Sequence, residues 1–255
     1  MPGTSSWFHT PAARPHARLR LYCIPYAGGG PGVFREWPGG LRDDVEVRAV
    51  VLPGRQRRFG EPALTSVEAL ADQLVPALCA ELDRPFAIFG HSLGAGLAYE
   101  VARRLANGAL RPVRLLASGA SAPHRPGLEH HLLPDAEFAE AVGGLGGTPP
   151  ELLAHEELLE LMLPILRADF TAAETYYRPP RPELGCPVSV FGGAEDPIVS
   201  SDDLAAWAEH TRSSCSVHVL PGDHFFLDSA RDELLRLVDR ELAGHLAGAA
   251  RTPPA

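Results

Sequence analysis

The stretch AIFGHSLGAGLAYEVARRL, residues 87–105, constrains the fold more than any other part of the chain. It opens as an apolar strand, bends at Gly90-His91-Ser92-Leu93-Gly94 and continues as a helix. A bare G-x-S-x-G match is weak, but a strand before it and a helix after it make it specific. Glycines two residues either side of the serine let strand and helix approach closely while the serine takes a strained conformation. A serine serving only as a helix N-cap would leave the paired glycines unexplained.

The rest of the chain supplies a sheet for this bend to sit on. Short apolar runs closed by Gly or Pro occur at residues 18–25, 45–53, 85–91, 113–120, 187–193 and 216–222 and read as strands. Several lack clean alternation, as expected for strands covered on both faces, and the helical patterns between them give a mostly parallel sheet. Helices are expected at residues 66–82, where Thr65 and Glu68 match a capping box, and at 93–105 and 227–246. Leu234, Leu235, Val238 and Leu242 share one face of the last. Residues 123–182 interrupt the alternation with a helical stretch at 151–177 flanked by Pro- and Gly-rich segments, which reads as an inserted lid. Most of its apolar residues are expected to pack on the core and a subset to line a channel for an apolar substrate.

A chain of 255 residues with 45% hydrophobic content suits one large α/β domain. The expected division is a flexible arm at 1–17, the domain at 18–247 and a flexible tail at 248–255. The net charge of -9, with no basic tract and no zinc-spaced Cys/His set, argues against nucleic-acid binding. Cys23, Cys79, Cys186 and Cys215 are far apart in mostly apolar contexts, which reads as free thiols in a reducing, cytoplasmic compartment. Neither a signal peptide nor a membrane span is indicated. A monomer with no metal and no cofactor is expected.

A serine hydroxyl is a poor nucleophile at neutral pH, so a histidine must take its proton and a carboxylate must hold that histidine's tautomer. On a sheet of this kind the chain order is Ser, then Asp or Glu, then His. FGGAEDPIV ends one strand with Asp196, and LPGDHFFL ends a later one with His224. Both fall at the carboxyl edge of the sheet, where open α/β sheets place their chemistry. Asp196 is preferred over Glu195 because it lies nearer the turn into the next helix, and over Asp223 because adjacent side chains diverge. Of the eleven histidines only His224 is suitably placed; His91 flanks the serine and is expected to point away from it. The N–H of Leu93, at a helix N-terminus, can donate to an oxyanion, and the Gly-rich loop IPYAGGGPG offers a second donor, taken as Ala27.

Together with YCIPYAGGGPGVFREW, VVLPGRQRRFGEP and LPILRADFTAAETY, these segments resemble the type II (discrete) thioesterases that accompany polyketide synthases and nonribosomal peptide synthetases, across residues 18–246. The resemblance implies an α/β-hydrolase fold with a helical lid, Ser92, Asp196 and His224 as the catalytic triad, and the amides of Ala27 and Leu93 as the oxyanion hole. It implies hydrolysis of acyl groups from the phosphopantetheine arm of an acyl or peptidyl carrier protein, for editing or release. The stretch GGLGGTPP at 143–150 departs from that pattern and could alter the acyl chamber. Because carrier proteins are generally acidic, Arg55, Arg57, Arg58, Arg103, Arg104, Arg111 and Arg114 are candidate docking residues, with solvated surface charge as the alternative reading. The rival functions are a small-molecule carboxylesterase or lipase using the same triad, and a non-catalytic binding module.

Overall fold

The computed structural model describes residues 6–106, 108, 110–147 and 156–248. Its frame is a seven-stranded sheet in the order β1-β3-β2-β4-β5-β6-β7. The strands are β1 (Phe8–His9), β2 (Leu19–Ile24), β3 (Val45–Val50), β4 (Phe86–His91), β5 (Leu115–Ser118), β6 (Val188–Gly193) and β7 (Cys215–Leu220). β2 to β7 pair in parallel, and β1 is antiparallel to β3.

Both faces of the sheet are covered, which explains the near-continuous apolar runs. On β2, Leu19, Leu21 and Cys23 face one core cluster while Tyr22 and Ile24 face the other. On β4, Ala87 and Phe89 join the first cluster, whereas Phe86 and Ile88 join the second. Helices α1 (Trp37–Gly40), α2 (Val67–Cys79), α3 (Leu93–Leu105), α4 (Asp135–Gly144), α5 (Glu156–Thr175), α6 (Ser201–Ala205), α7 (Phe226–Ser229) and α8 (Arg231–Gly248) surround it. α2 and α3 cover one face; α1 and α8 close the other, with Leu234, Leu235, Val238 and Leu242 buried against it as their spacing requires. Each fully buried Leu, Ile or Phe contributes about 1.5–3 kcal/mol, so these two clusters dominate the stability.

Three local expectations are corrected. The cap of α2 is Ser66, whose hydroxyl accepts from Ala69 N–H at 3.0 Å, and Thr65 is not the capping residue. Glu68, expected to complete the box, instead pairs with Arg178 at 2.9 Å. The described part of the segment expected as a loose arm is docked: Trp7 and Phe8 are buried, and Val51 N–H donates to the Trp7 carbonyl at 2.8 Å. Arg58 stacks on the Trp7 ring at 3.7 Å, and Arg57 donates to the carbonyls of Ser6 and Phe8. Residues 1–5, the tail beyond 248, and the parts of the expected lid at 148–155 lie outside the described residues. What is described between β5 and β6 is a loop, α4 and α5, with Phe138, Val142 and Leu166 forming a small core of their own.

Candidate active site

Ser92 stands between β4 and α3 with φ 54° and ψ −119°, a left-handed conformation that a β-carbon disfavours. Gly90 and Gly94 make this possible. A Cβ on Gly90 would lie 1.9 Å from the Gly94 carbonyl oxygen, and one on Gly94 would lie 2.3 Å from that of Ile24. The bend is pinned by Ser92 N–H donating to the Ser118 carbonyl at 2.8 Å. The hydroxyl makes no capping bond, and among the described residues it has no hydrogen-bond partner. Strain is therefore spent on presenting that oxygen.

His224 follows β7 and is 4% exposed; its Nδ1 lies 2.8 Å from Asp196 Oδ2, after β6. The other Asp196 oxygen accepts from the N–H groups of Ile198 at 2.8 Å and Val199 at 3.2 Å. Burial opposes ionisation of Asp196, but the hydrogen bond and charge of His224 and these two amides outweigh it, and its pKa is lowered. A carboxylate so held orients the imidazole and fixes Nδ1 as the protonated nitrogen. Glu195 and Asp223, the alternatives, do not make this contact: Asp223 instead accepts from Phe225 N–H at 2.8 Å.

A cavity of about 470 Å³ brings these segments together; Ser92, Leu93, Ala27 and His224 all line it. Leu93 begins α3, so its N–H is one of the helix's unpaired donors. Ala27 lies in the loop after β2, where Gly28 has φ +75° and Gly29 N–H closes a turn onto the Tyr26 carbonyl at 2.9 Å. Two amides, a free hydroxyl and a carboxylate-held imidazole around one cavity can carry out nucleophilic acyl transfer. Val142, Leu145, Phe170 and Tyr176 form its apolar wall from the segment between β5 and β6, and Gly147 packs on Phe225.

Spacing alone misses two features. His91 is not remote from the site: its ring centroid lies 5.2 Å from that of His224, and its Nδ1 lies 2.9 Å from Ser118 Oγ. Burial pushes its pKa far down, so it stands neutral beside the His224 ring. The candidate docking arginines are also mostly committed elsewhere. Arg55 and Arg58 are buried, the first paired with Asp169 at 2.7 Å and the second with Glu61. Arg103 and Arg104 serve Glu100, and Arg114 pairs with Glu241 at 2.6 Å; Arg57 and Arg111 are exposed and make no ion pair among the described residues, Arg57 donating instead to the carbonyls of Ser6 and Phe8. Of these, Arg55, Arg103 and Arg104 satisfy the buried carboxylates of Asp169 and Glu100. Among the described residues no group of three or more His, Cys, Asp or Glu is placed to hold a metal, and no helix is long and apolar enough to cross a membrane.

Residues 19–242 match the thioesterase domain family. The chain is 42% identical to linear gramicidin dehydrogenase LgrE of Brevibacillus parabrevis, over 96% of this chain and 95% of that one. It is 38% identical to thioesterase PikA5 of Streptomyces venezuelae, over 89% of this chain and 82% of that one. Among solved structures it resembles the type II thioesterase BorB from the borrelidin biosynthetic cluster, with TM-score 0.84, 38% identity, and coverage of 92% of this chain and 97% of that one. The name of the first relative denotes redox chemistry, whereas the family match and the site denote hydrolysis. The chain belongs to the thioesterase family, hydrolases of the α/β-hydrolase fold, and its relatives include type II thioesterases of polyketide and nonribosomal peptide biosynthesis.

Proposed function

We propose that this thioesterase hydrolyses acyl groups from the phosphopantetheine arm of an acyl or peptidyl carrier protein, with Ser92 as nucleophile, His224 as base and Asp196 as its orienting acid. Ser92 attacks the thioester carbonyl and passes its proton to His224 Nε2; the amides of Ala27 and Leu93 take the oxyanion. Collapse expels the thiol, protonated by His224, and leaves an acyl-serine. Water, deprotonated by the same imidazole, then releases the free acid. Every group in this sequence belongs to the chain, so no resident cofactor enters. The observation that carries the reading is the strained, unpartnered Ser92 hydroxyl on the same cavity as the Asp196-held imidazole. The hydroxyl and imidazole close to hydrogen-bond distance when substrate is bound, as catalytic contacts often do.

The volume of about 470 Å³ falls in the range of small-molecule sites and suits an acyl chain, while residues 123–182 act as the lid over it. The whole is read as one domain over residues 18–247, acting as a monomer in the cytoplasm. Four free cysteines agree with a reducing compartment. The net charge of -9 and the internal pairing of the arginines support no nucleic-acid partner.

Turnover of acyl-carrier, acyl-pantetheine and oxygen-ester substrates of matched chain length tests this. The expected order of kcat/KM is carrier above pantetheine above ester. An oxygen ester turned over faster than either thioester would instead assign a small-molecule esterase.

A further inference from the structure

Asp169 lies on α5, far along the chain from the loop that carries Ala27, yet its carboxylate reaches that loop. Its Oδ2 accepts from Gly28 N–H at 2.7 Å and from Arg55 Nη1 at 2.8 Å, and its Oδ1 accepts from Arg55 Nη2 at 2.7 Å. Arg55, after β3, also donates through Nη1 to the Gly29 carbonyl at 3.0 Å. One ion pair thus holds the peptide group that follows Ala27 and the Gly29 carbonyl, immediately beyond the Tyr26–Ala27 peptide that carries the Ala27 N–H.

Its surroundings show that the geometry is enforced. The Asp169 and Arg55 side chains are 2% and 8% exposed. Leu166, one turn earlier on α5, packs so closely on Gly28 that a Cβ there would lie 2.5 Å from Leu166 Cδ2. Gln56, next to Arg55, has φ 50°, a strained value for a residue with a side chain. A buried ion pair is a weak source of net stability because desolvation offsets its attraction. What a bidentate pair does supply is direction, since it fixes both partners and whatever they hold.

We propose that Asp169 and Arg55 are positioning residues for the oxyanion hole, so that helix α5 of the lid sets the orientation of the Ala27 amide as well as covering the cavity. This rests on the reading of Ala27 N–H as an oxyanion donor. An amide displaced by about 1 Å from the developing oxyanion loses much of its effect, and removal of one such donor costs about 100- to 1,000-fold in kcat.

The test is kinetic, on Asp169→Asn, Asp169→Ala and Arg55→Lys in the full chain, with an acyl-pantetheine thioester. Two inhibitors with the same acyl chain accompany it: a trifluoromethyl ketone, which forms an oxyanion on addition of the serine, and the corresponding amide, which mimics the ground state. In Asp169→Ala kcat falls about 10- to 100-fold while KM and amide affinity stay within about threefold, and ketone affinity falls in step with kcat. Asp169→Asn loses less, because its amide oxygen can still accept from Gly28. Should the alanine variant fail to fold, the asparagine and lysine variants carry the same comparison of kcat with ketone affinity. Unchanged kcat in folded variants, or amide and ketone affinities falling equally, overturns the proposal. Ser92→Ala runs alongside: its retaining turnover would overturn the site reading itself, whereas a dead Ser92→Ala beside unaffected Asp169 variants overturns only the positioning role.

Discussion

The hydroxyl of Tyr176 donates to Glu100 Oε2 at 2.9 Å, joining the residue that follows α5 to a fully buried carboxylate on α3, the helix that directly follows Ser92. The same carboxylate accepts from Arg103, Arg104 and Arg178. Burial would raise its pKa, but the hydrogen bonds from Arg103, Arg178, Arg104 and Tyr176 overcome this and hold it well below the usual carboxylate range. Glu100→Ala removes the acceptor shared by a phenol and three guanidinium groups, which keep Glu183, Asp72 and Glu68 as second partners, so a loss of about 3 kcal/mol is expected, against about 1.5 kcal/mol for Tyr176→Phe, which removes one bond to a charge. Urea unfolding measures both. A Glu100→Ala loss no larger than that of Tyr176→Phe would mean that the network is not coupled through the carboxylate.

Asp196→Asn keeps the shape of the site but removes the charge that fixes Nδ1–H on His224. In serine triads such a change costs about 10⁴ in kcat through the wrong tautomer, and a fall of at least about 10³ is expected here with the melting temperature little altered. Steady-state kinetics of the purified variant decide this. A loss below about tenfold would remove Asp196 from the triad.

Gly94→Ala places a methyl 2.3 Å from the Ile24 carbonyl oxygen, a backbone atom that cannot rotate aside. The clash forces β2 and α3 apart, with an expected loss of about 1–3 kcal/mol or more and a displaced nucleophile. Gly39→Ala, where a Cβ meets nothing within 4 Å, serves as the control. Equal melting temperatures for the two variants would contradict the packing argument.

Stability should fall on mild acidification because of His210. Its Nδ1 lies 3.0 Å from the Tyr99 hydroxyl and its Nε2 lies 2.9 Å from His124 Nδ1, with Glu209 3.6 Å from the far side of that second ring. Burial first, and then the neighbouring His124, push its pKa from 6.5 down to about 4. The unfolded chain therefore binds a proton that the folded chain refuses, so this contribution is complete above about pH 6.5 and is lost as pH falls toward 4. Lowering of the Asp196 and Glu100 pKa values adds a loss of the same sign at lower pH. Urea midpoints from pH 7.5 to 4.5 should decline in the parent and decline less in His210→Asn; parallel slopes would contradict the assignment.

How much of this could be read from the residues follows from how local each signal is. All six strand runs and the α3 boundary are legible because apolar runs closed by Gly or Pro are local, and the bend at Ser92 is legible because its steric demands fall on Gly90 and Gly94. Asp196 and His224 are legible by chain order, and the structure brings them into contact. The docked arm is not, because Phe8 and His9 pair with Val50 and Ala49 through backbone groups that leave no periodic pattern in two residues. Nor is the fate of Arg55: its partner Asp169 is 114 positions away, and an arginine in a polar stretch looks the same whether it meets solvent or a buried carboxylate. Ser66 displaces Thr65 as the cap of α2 because two adjacent hydroxyl residues satisfy the same local rule, and only the backbone turn selects between them.

Rapid-quench mass spectrometry with a radiolabel-free acyl-carrier substrate tests the central claim most directly, because it looks for the covalent intermediate on which the whole mechanism turns. The expected result is a transient acyl adduct on the peptide carrying Ser92, absent in Ser92→Ala, whose turnover falls by several powers of ten. An adduct on another residue, or near-parental hydrolysis by Ser92→Ala, would contradict it.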